Sequence, residues 1–280
     1  MSIVPIYDNH FHLQPSGRGV DALRDFSKAG GTHAMLCHLP YAEVPISSAE
    51  DFSRSYEITI GMAERGNAET EVRVFTCVGP YPVLLLGLAE RYGLPRAVEI
   101  MKGGMEGAQR LVKEGKAVAI GEIGRPHFPV PPEIWDASND IMRYGMELAK
   151  EASCPVVLHT ESSDPAVMLD LATHADRAGI ARDKVVKHYS PPLVLSEENH
   201  GLFPSVLASR TSVREALSKG DRFVLETDFL DEPSRPGAVM NINTVPKRTK
   251  ALLASGELTE ERAFRIHKDN PERIYGIIIE

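Results

Sequence analysis

Residues 7–17 of this chain read YDNHFHLQPSG, with His10 and His12 one residue apart at the end of the short apolar run IVPIY. Side chains on an extended strand alternate between its two faces, so both imidazoles point the same way. Two neutral imidazoles on one face offer a pair of nitrogen ligands to a metal ion. An isolated HxH pair is equally compatible with two unrelated surface histidines, and the rest of the chain has to separate the two interpretations.

Short apolar segments alternate with amphipathic helical patterns along the whole chain. Eight segments are typical of strands: IVPIYDNH, THAMLCHL, VRVFTCVG, AVAIGEIG, PVVLHTE, KVVKHYS, LFPSVLAS and RFVLETD. Between them, apolar residues recur every three or four positions, as in Met142, Met146 and Ala149. Several strands are apolar on both faces, which favours a buried parallel sheet. Eight strand–helix units predict an α/β fold, a (β/α)8 TIM barrel, as a single domain over residues 1–280.

A doubly wound open sheet is the competing architecture. It calls for a glycine-rich turn after the first strand, and DNHFHLQPSGRG does not have the pattern G-x-G-x-x-G. Residues 191–204 show little helical periodicity, so the barrel is expected to be irregular around its sixth unit.

Composition and charge exclude several classes of protein. The chain is 42% hydrophobic and 25% charged, which is ordinary for a globular protein. A net charge of −8 argues against a broad nucleic-acid-binding surface, although a local anion site beside a bound metal stays open. No stretch is typical of a membrane span or of a secretory signal, so no membrane partner is expected. Three cysteines without metal-ligand spacing indicate buried thiols in a reducing compartment and predict a cytoplasmic protein.

Six residues of metal-ligand type lie at the carboxyl ends of predicted strands. They are His10, His12, Glu122, His159, His188 and Asp228. In a TIM barrel these ends converge on one face, where catalytic groups collect. Each residue alone has a structural alternative, such as a hydrogen-bonded core histidine, a paired buried acid or a turn cap. Together they form a nitrogen and oxygen set suited to one or two divalent cations, with zinc expected first and manganese, magnesium, cobalt, iron or nickel as alternatives.

The order HxH, GEIG, His, His and ETD, followed by a C-terminal NPERIYG, resembles the TatD-related metal-dependent hydrolases of the amidohydrolase superfamily. The resemblance extends over essentially the whole chain. It implies a (β/α)8 fold with a one- or two-metal site. The residues that it implies for the first metal are His10, His12, Glu122 and Asp228. Those that it implies for the second are Glu122, His159 and His188, with Glu122 as the bridge because no lysine ends the fourth strand.

Such a centre predicts a hydrolytic mechanism. Two metals about 3.5–4 Å apart lower the pKa of bound water and clamp an attacking and a leaving oxygen. A bridging hydroxide would attack phosphorus or a carbonyl carbon, with Asp228 as the orienting group and base and Glu122 dividing its charge between the ions. Two divalent cations against two carboxylates leave the centre positive. The expected substrate is therefore small and anionic, or derived from nucleic acid.

Three functions fit this pattern. The first is a TatD-like phosphodiesterase or nuclease. The second is a hydrolase of a carboxyl ester, lactone, amide or aminoacyl link, and the third is a non-catalytic scaffold that retains a metal site. Three segments depart from the family pattern: RPHF after GEIG, HYSPP after the sixth strand, and FLDEPSRPGAV after TD. All three lie at the predicted mouth, where they bear on the substrate and not on the metal.

Within RPHF, Arg125 and His127 are the predicted substrate-binding residues. A guanidinium is permanently charged and can bind a phosphate or carboxylate through two hydrogen bonds. The alternative is that Arg125 points away from the mouth and pairs with an acid on a neighbouring loop. Glu161, two residues after His159, is expected to orient a ligand imidazole.

Overall fold

The computed structural model describes residues 4–232, 234 and 239–280. Its strands are β1 (Tyr7–His12), β2 (His33–Cys37), β3 (Arg73–Val78), β4 (Ala119–Gly124), β5 (Val156–His159), β6 (Val185–Ser190), β7 (Phe203–Leu207), β8 (Val224–Glu226) and β9 (Phe229–Leu230). Its helices are α1 (Val20–Ala29), α2 (Ala49–Glu69), α3 (Leu84–Tyr92), α4 (Leu94–Lys113), α5 (Pro132–Glu151), α6 (Pro165–Ala178), α7 (Ser196–Asn199), α8 (Arg210–Lys219), α9 (Thr244–Ser255), α10 (Glu260–Phe264) and α11 (Asn270–Tyr275).

All strand pairs in the described sheet are parallel, and consecutive strands are neighbours from β1 to β8. Only Thr227 and Asp228 separate β8 from β9, and β9 pairs with β1. The backbone N–H of Asp228 also donates to the carbonyl of His10 at 2.9 Å. The last strands thereby join the first, so the predicted (β/α)8 barrel is confirmed.

The sixth unit is irregular, as predicted. The helix between β6 and β7, α7, has only four residues. The buried side chain of Asn199 stabilises the loop before α7. Its amide donates hydrogen bonds to the carbonyls of Leu193 and Val194 at 3.2 and 2.8 Å. Satisfying buried carbonyls in this way lets a loop without helical periodicity pack against the barrel.

The inside of the barrel is filled by apolar side chains. Met35, Val157 and Phe203, from three different strands, belong to one buried cluster with the C-terminal residues Ile277 and Ile279. Burying each such side chain stabilises the fold by about 1.5–3 kcal/mol. A second, larger cluster packs the outer faces of the strands against helices. Apolar packing thus fills much of the barrel interior below the carboxyl ends of the strands. None of the described helices has both the length and the apolar character to cross a membrane.

The hydrogen bonds at the start of α2 make the stability of the fold depend on pH. The Asp51 carboxylate accepts hydrogen bonds from the backbone N–H groups of Ser47 and Ser48 at 2.8 and 2.9 Å. Burial opposes ionisation, but these bonds and that from the Ser47 hydroxyl outweigh it and lower the pKa of Asp51 from 3.8 to about 2. A depressed carboxyl pKa stabilises the folded state above pH 3.8, and this contribution is lost as the pH falls through about 2.

We therefore expect Asp51→Asn to lower the free energy of unfolding by about 2 kcal/mol at pH 7, with the difference shrinking below about pH 4. Urea unfolding of both proteins at several pH values measures it. Glu50→Gln, an exposed neighbour in the same helical turn, is the control and should change stability by less than about 0.5 kcal/mol. A difference that stays constant down to pH 3 would contradict this interpretation.

Candidate metal centre

The structure brings all six predicted ligand residues to one end of the barrel. They are His10, His12, Glu122, His159, His188 and Asp228. Four of them are buried, and His159 and Asp228 are partly exposed. They come from β1, β4, β5, β6 and the junction between β8 and β9, so the carboxyl ends of the strands meet as the barrel geometry requires.

Glu122 stands at the middle of this group. Its Oε1 lies 3.4 Å from His10 Nε2, 3.3 Å from His159 Nδ1 and 3.2 Å from His188 Nε2. His10 Nε2 and His12 Nε2 are 3.0 Å apart. Ligands about 2.0–2.2 Å from a shared ion are about 3.0–3.5 Å from one another. The spacing and the chemistry of the donors therefore both fit divalent cations.

Two overlapping groups share the Glu122 carboxylate. One contains His10, His12 and Glu122, and the other contains Glu122, His159 and His188. Asp228 Oδ1 lies 3.5 Å from His12 Nε2 and 3.9 Å from His10 Nε2, beside the first group. Histidine and glutamate groups able to hold metal are thus present, and the carboxylate common to both is Glu122.

Protein oxygens lie close to the remaining ring nitrogens of two histidines. His12 Nδ1 lies 2.9 Å from the carbonyl of Cys37, so it carries a proton and leaves Nε2 free as a ligand. His188 Nδ1 lies 3.0 Å from Glu226 Oε1. Glu226 is held in turn by the Tyr189 N–H at 2.8 Å and by the Ser205 hydroxyl.

The backbone at two positions is shaped to present these groups. Asp228 has a left-handed φ of 49° where the chain bends between β8 and β9. Asp8 stabilises the bend by accepting hydrogen bonds from the N–H and hydroxyl of Thr227 at 3.0 and 2.7 Å. Gly124 ends β4 at φ 142°, and a Cβ there would lie 2.1 Å from the carbonyl oxygen of His159. Only glycine lets the strand that carries Glu122 approach β5 this closely.

The charged groups of the site shift the pKa values of their neighbours. Burial lowers the pKa of His10 well below its usual value, and the charge of His188 adds to this effect. Burial opposes ionisation of Glu122, yet the charges of His188, His10 and His159 together outweigh it and hold the pKa of Glu122 well below its usual range. Burial also disfavours a charged His188, but Glu226 and Glu122 raise its pKa to about 9. The buried carboxylates that stabilise a positive charge on His188 would stabilise a metal cation in the same way.

The sequence model of the family described as TatD related DNase matches residues 7–276. The chain belongs to this family. An uncharacterized protein of Methanocaldococcus jannaschii is 37% identical over 280 residues, which cover 99% of this chain and 98% of that protein. A TatD-like protein of Archaeoglobus fulgidus has a TM-score of 0.65 at 17% identity, covering 97% of this chain and 100% of that one. A TatD homologue of Escherichia coli has a TM-score of 0.66 at 21% identity, covering 99% and 100%. Family membership makes the chain a metal-dependent hydrolase, as predicted.

Arg125, the predicted substrate-binding residue, is bound by protein side chains in this TatD-family chain. Its side chain is 2% exposed, and Nε and Nη2 bind both oxygens of Glu161 at 2.9 and 2.5 Å. Nη1 binds Asn139 and Asp170 at 2.9 and 2.7 Å, and the guanidinium carbon lies 4.3 Å from the centre of the Trp135 ring. Four of the five N–H donors of the guanidinium are thus bound to protein groups, which fits the alternative of pairing with acids on neighbouring elements. Glu161, expected to orient a ligand imidazole, binds Arg125 instead.

His127 does reach the mouth of the TatD-family site. It is exposed, and its Nδ1 lies 2.9 Å from His159 Nε2, on the side of that ring opposite Glu122. Tyr81 also approaches His159 Nε2, with its hydroxyl at 3.5 Å. Burial and the charge of His159 lower the pKa of His127, which favours its neutral form. The segment FLDEPSRPGAV, the third departure from the family pattern, is described only at 229–232, 234 and 239.

A pocket of about 380 Å³ opens above the candidate metal centre of the TatD-family chain. It is lined by His127, His159, Thr160, Glu161, Ser162, Lys187, His188, Tyr189 and Asp228. Lys187 is 1% exposed, and burial lowers its pKa to about 8 although Glu226 and Glu161 act in the opposite direction. The pocket thus joins candidate metal ligands to a buried cation.

Sequence reasoning missed two residues of this TatD-family site. Glu226 precedes Asp228 by two positions, and strand alternation would have placed both on the same face. Lys187 follows the two valines of KVVKHYS and directly precedes His188. A charged residue in a strand buried on both faces was the available signal.

Proposed function

We propose that this TatD-family chain hydrolyses phosphodiesters at a centre of two divalent metal ions, with zinc as the first candidate. The observation that carries the proposal is the position of the Glu122 carboxylate between the His10–His12 pair and the His159–His188 pair. When bound, divalent ions lower the pKa of a coordinated water and neutralise charge on a phosphoryl oxygen. Imidazole and carboxylate donors without sulfur suit zinc and its first-row neighbours.

The residues around the centre have separate roles in this proposal. Glu122 holds the two ligand pairs together through its buried charge. Asp228 is partly exposed and lines the pocket, so its carboxylate orients the attacking water and accepts the proton. Glu226 fixes the ring of His188 through the 3.0 Å contact with Nδ1. His127 stands at the mouth, where it can donate a hydrogen bond to an incoming phosphate.

The size of the pocket favours a small anionic substrate, or the end of a nucleic acid strand, over a long duplex. A pocket of about 380 Å³ accommodates a group of nucleotide size. The net charge of −8 leaves little electrostatic attraction for an extended polyanion outside this pocket. The three buried thiols fit a reducing compartment, and we propose the cytoplasm as the place of action.

The test combines metal analysis with a substrate panel. Protein stripped with a chelator is reconstituted with zinc, manganese or cobalt, and bound metal is counted by elemental analysis. We expect one to two ions per chain and metal-dependent hydrolysis of bis(4-nitrophenyl) phosphate. The same preparations are tested on 4-nitrophenyl acetate and δ-valerolactone. Preferential cleavage of the ester or lactone would replace the phosphodiester proposal, and bound metal without turnover on the panel would indicate a scaffold.

A further inference from the structure

Lys187 is a buried lysine that the proposed hydrolytic roles do not use. It lies on β6 directly before His188, with 1% of its surface exposed, and it lines the pocket above the candidate metal centre. Its ammonium donates one hydrogen bond to the carbonyl of His188. Within the described part of the chain Lys187 has no other hydrogen bond and no ion pair. An ammonium has three donors, so two are left for another partner.

The acids whose charges act on Lys187 all have partners of their own. Glu161 is bound through both oxygens by Arg125. Glu226 accepts from the Tyr189 N–H and the Ser205 hydroxyl and faces His188. Glu122 lies between the ligand histidines described above. None of the three is paired with Lys187, so its charge is not balanced by a dedicated counterion.

A lysine in this position is costly for stability alone. Moving an ammonium out of water without a counterion is strongly unfavourable, and an apolar residue of similar length would fill the same space. Because Lys187 lines the pocket, a bound ligand offers an explanation for the buried charge. Ser162, Thr160 and Tyr189 line the same pocket and add polar groups to it. An anion entering the pocket would supply the missing counterion next to the metal centre.

We propose that Lys187 binds an oxyanion of the substrate beside the scissile bond, so that the chain selects substrates carrying a second anionic group. This inference rests on the proposed function and deepens it by naming the substrate class. The binding group is an oxyanion of phosphate or carboxylate type, since both accept charged hydrogen bonds from an ammonium. Lys187 thereby provides the cation that the sequence assigned to Arg125.

The first test measures binding without turnover. Calorimetric titration of the metal-loaded protein with inorganic phosphate, and separately with acetate, gives a dissociation constant for each anion. We expect Lys187→Met to raise the constant for the anion that it recognises by about 10- to 100-fold. The anion affected identifies the source as phosphate or carboxylate. Lys184→Met is the matched control, because Lys184 lies three residues earlier and bonds to the carbonyls of Arg273 and Ile274. Unchanged affinity for both anions in Lys187→Met would overturn the proposal.

The second test compares kcat/KM for two substrates that differ by one anionic group. The 4-nitrophenyl ester of thymidine 3′-phosphate is compared with the same ester carrying a 5′-phosphate. We expect Lys187→Met to lower kcat/KM for the doubly anionic ester by about 10- to 100-fold and for the other by less than about threefold. Lys187→Arg should recover part of the loss, because it restores the charge with a different geometry.

The outcomes separate this inference from the proposed function. Equal losses on both esters, together with a lower Tm for Lys187→Met, would show a structural role and overturn the inference. A Tm that is unchanged or higher agrees with it, since a buried charge is removed. If the wild-type protein cleaves neither ester, the phosphodiester proposal fails, while anion binding still decides the role of Lys187.

Discussion

Glu122→Gln is expected to weaken the binding of both metal ions by at least about 100-fold. The Glu122 carboxylate is 1% exposed and belongs to both candidate metal groups, so in the proposed centre its charge would be shared by two metals. Removing one partner from a buried charged group costs about 3–5 kcal/mol, which corresponds to about 150- to 4,000-fold in affinity. Competition against a coloured chelator measures the affinity of each site.

Glu226→Gln is the matched control for this experiment. It removes a buried carboxylate 3.0 Å from His188 Nδ1, but not one that lies between the ligand pairs. Loss of such an orienting partner typically weakens metal binding by about 10- to 100-fold, and we expect the effect at the His159–His188 site only. A Glu122→Gln protein that keeps two tightly bound ions would rule out the shared carboxylate.

Asp228→Asn is expected to lower kcat by at least about 100-fold while the fold and the metal content survive. The amide keeps the size of the side chain and one ligand oxygen but loses the charge and the basicity. Asn tolerates the left-handed conformation required at φ 49°, so the bend between β8 and β9 is retained. Steady-state rates, together with Tm and metal analysis, separate chemistry from stability.

Asp170→Asn serves as the control for Asp228→Asn. Asp170 pairs with Arg125 at 2.7 Å, and its side chain is 49% exposed. Its loss is expected to change kcat by less than about threefold, in keeping with an exposed ion pair. Near wild-type turnover of Asp228→Asn would remove Asp228 from the mechanism.

The convergence of the candidate ligand residues could be predicted because it follows from local sequence pattern. His10, Glu122 and His159 each lie in the last residues of an apolar strand, and the carboxyl ends of barrel strands converge whatever the side chains around them. The irregular sixth unit could also be predicted, because residues 191–204 lack the apolar periodicity of a helix. The bends that aim these residues depend on single positions, such as Gly124, that pattern alone does not distinguish from ordinary strand ends.

The orientation of Arg125 could not be predicted from neighbouring residues. Its direction is decided by Glu161 and Asp170, which are 36 and 45 positions away in the chain, and by the ring of Trp135. A guanidinium three residues after a metal-site carboxylate fits an active-site role and a structural role equally well. Only the packing of α5 and α6 against the loop after β4 separates the two. Lys187 could have been found from the sequence, because a charged residue inside a buried strand is unusual.

The closure of the barrel through His10 and Asp228 has a consequence for synthesis on the ribosome. The bend that places Asp228 is held by Asp8, and its backbone bonds to His10, so the beginning and the end of the strand series build one site. A nascent chain that stops short of residue 228 carries the histidines but lacks the acid proposed as the base. On the proposed mechanism, hydrolytic activity therefore arises only after the last barrel strand has left the ribosomal tunnel, and incomplete chains are expected to be inactive.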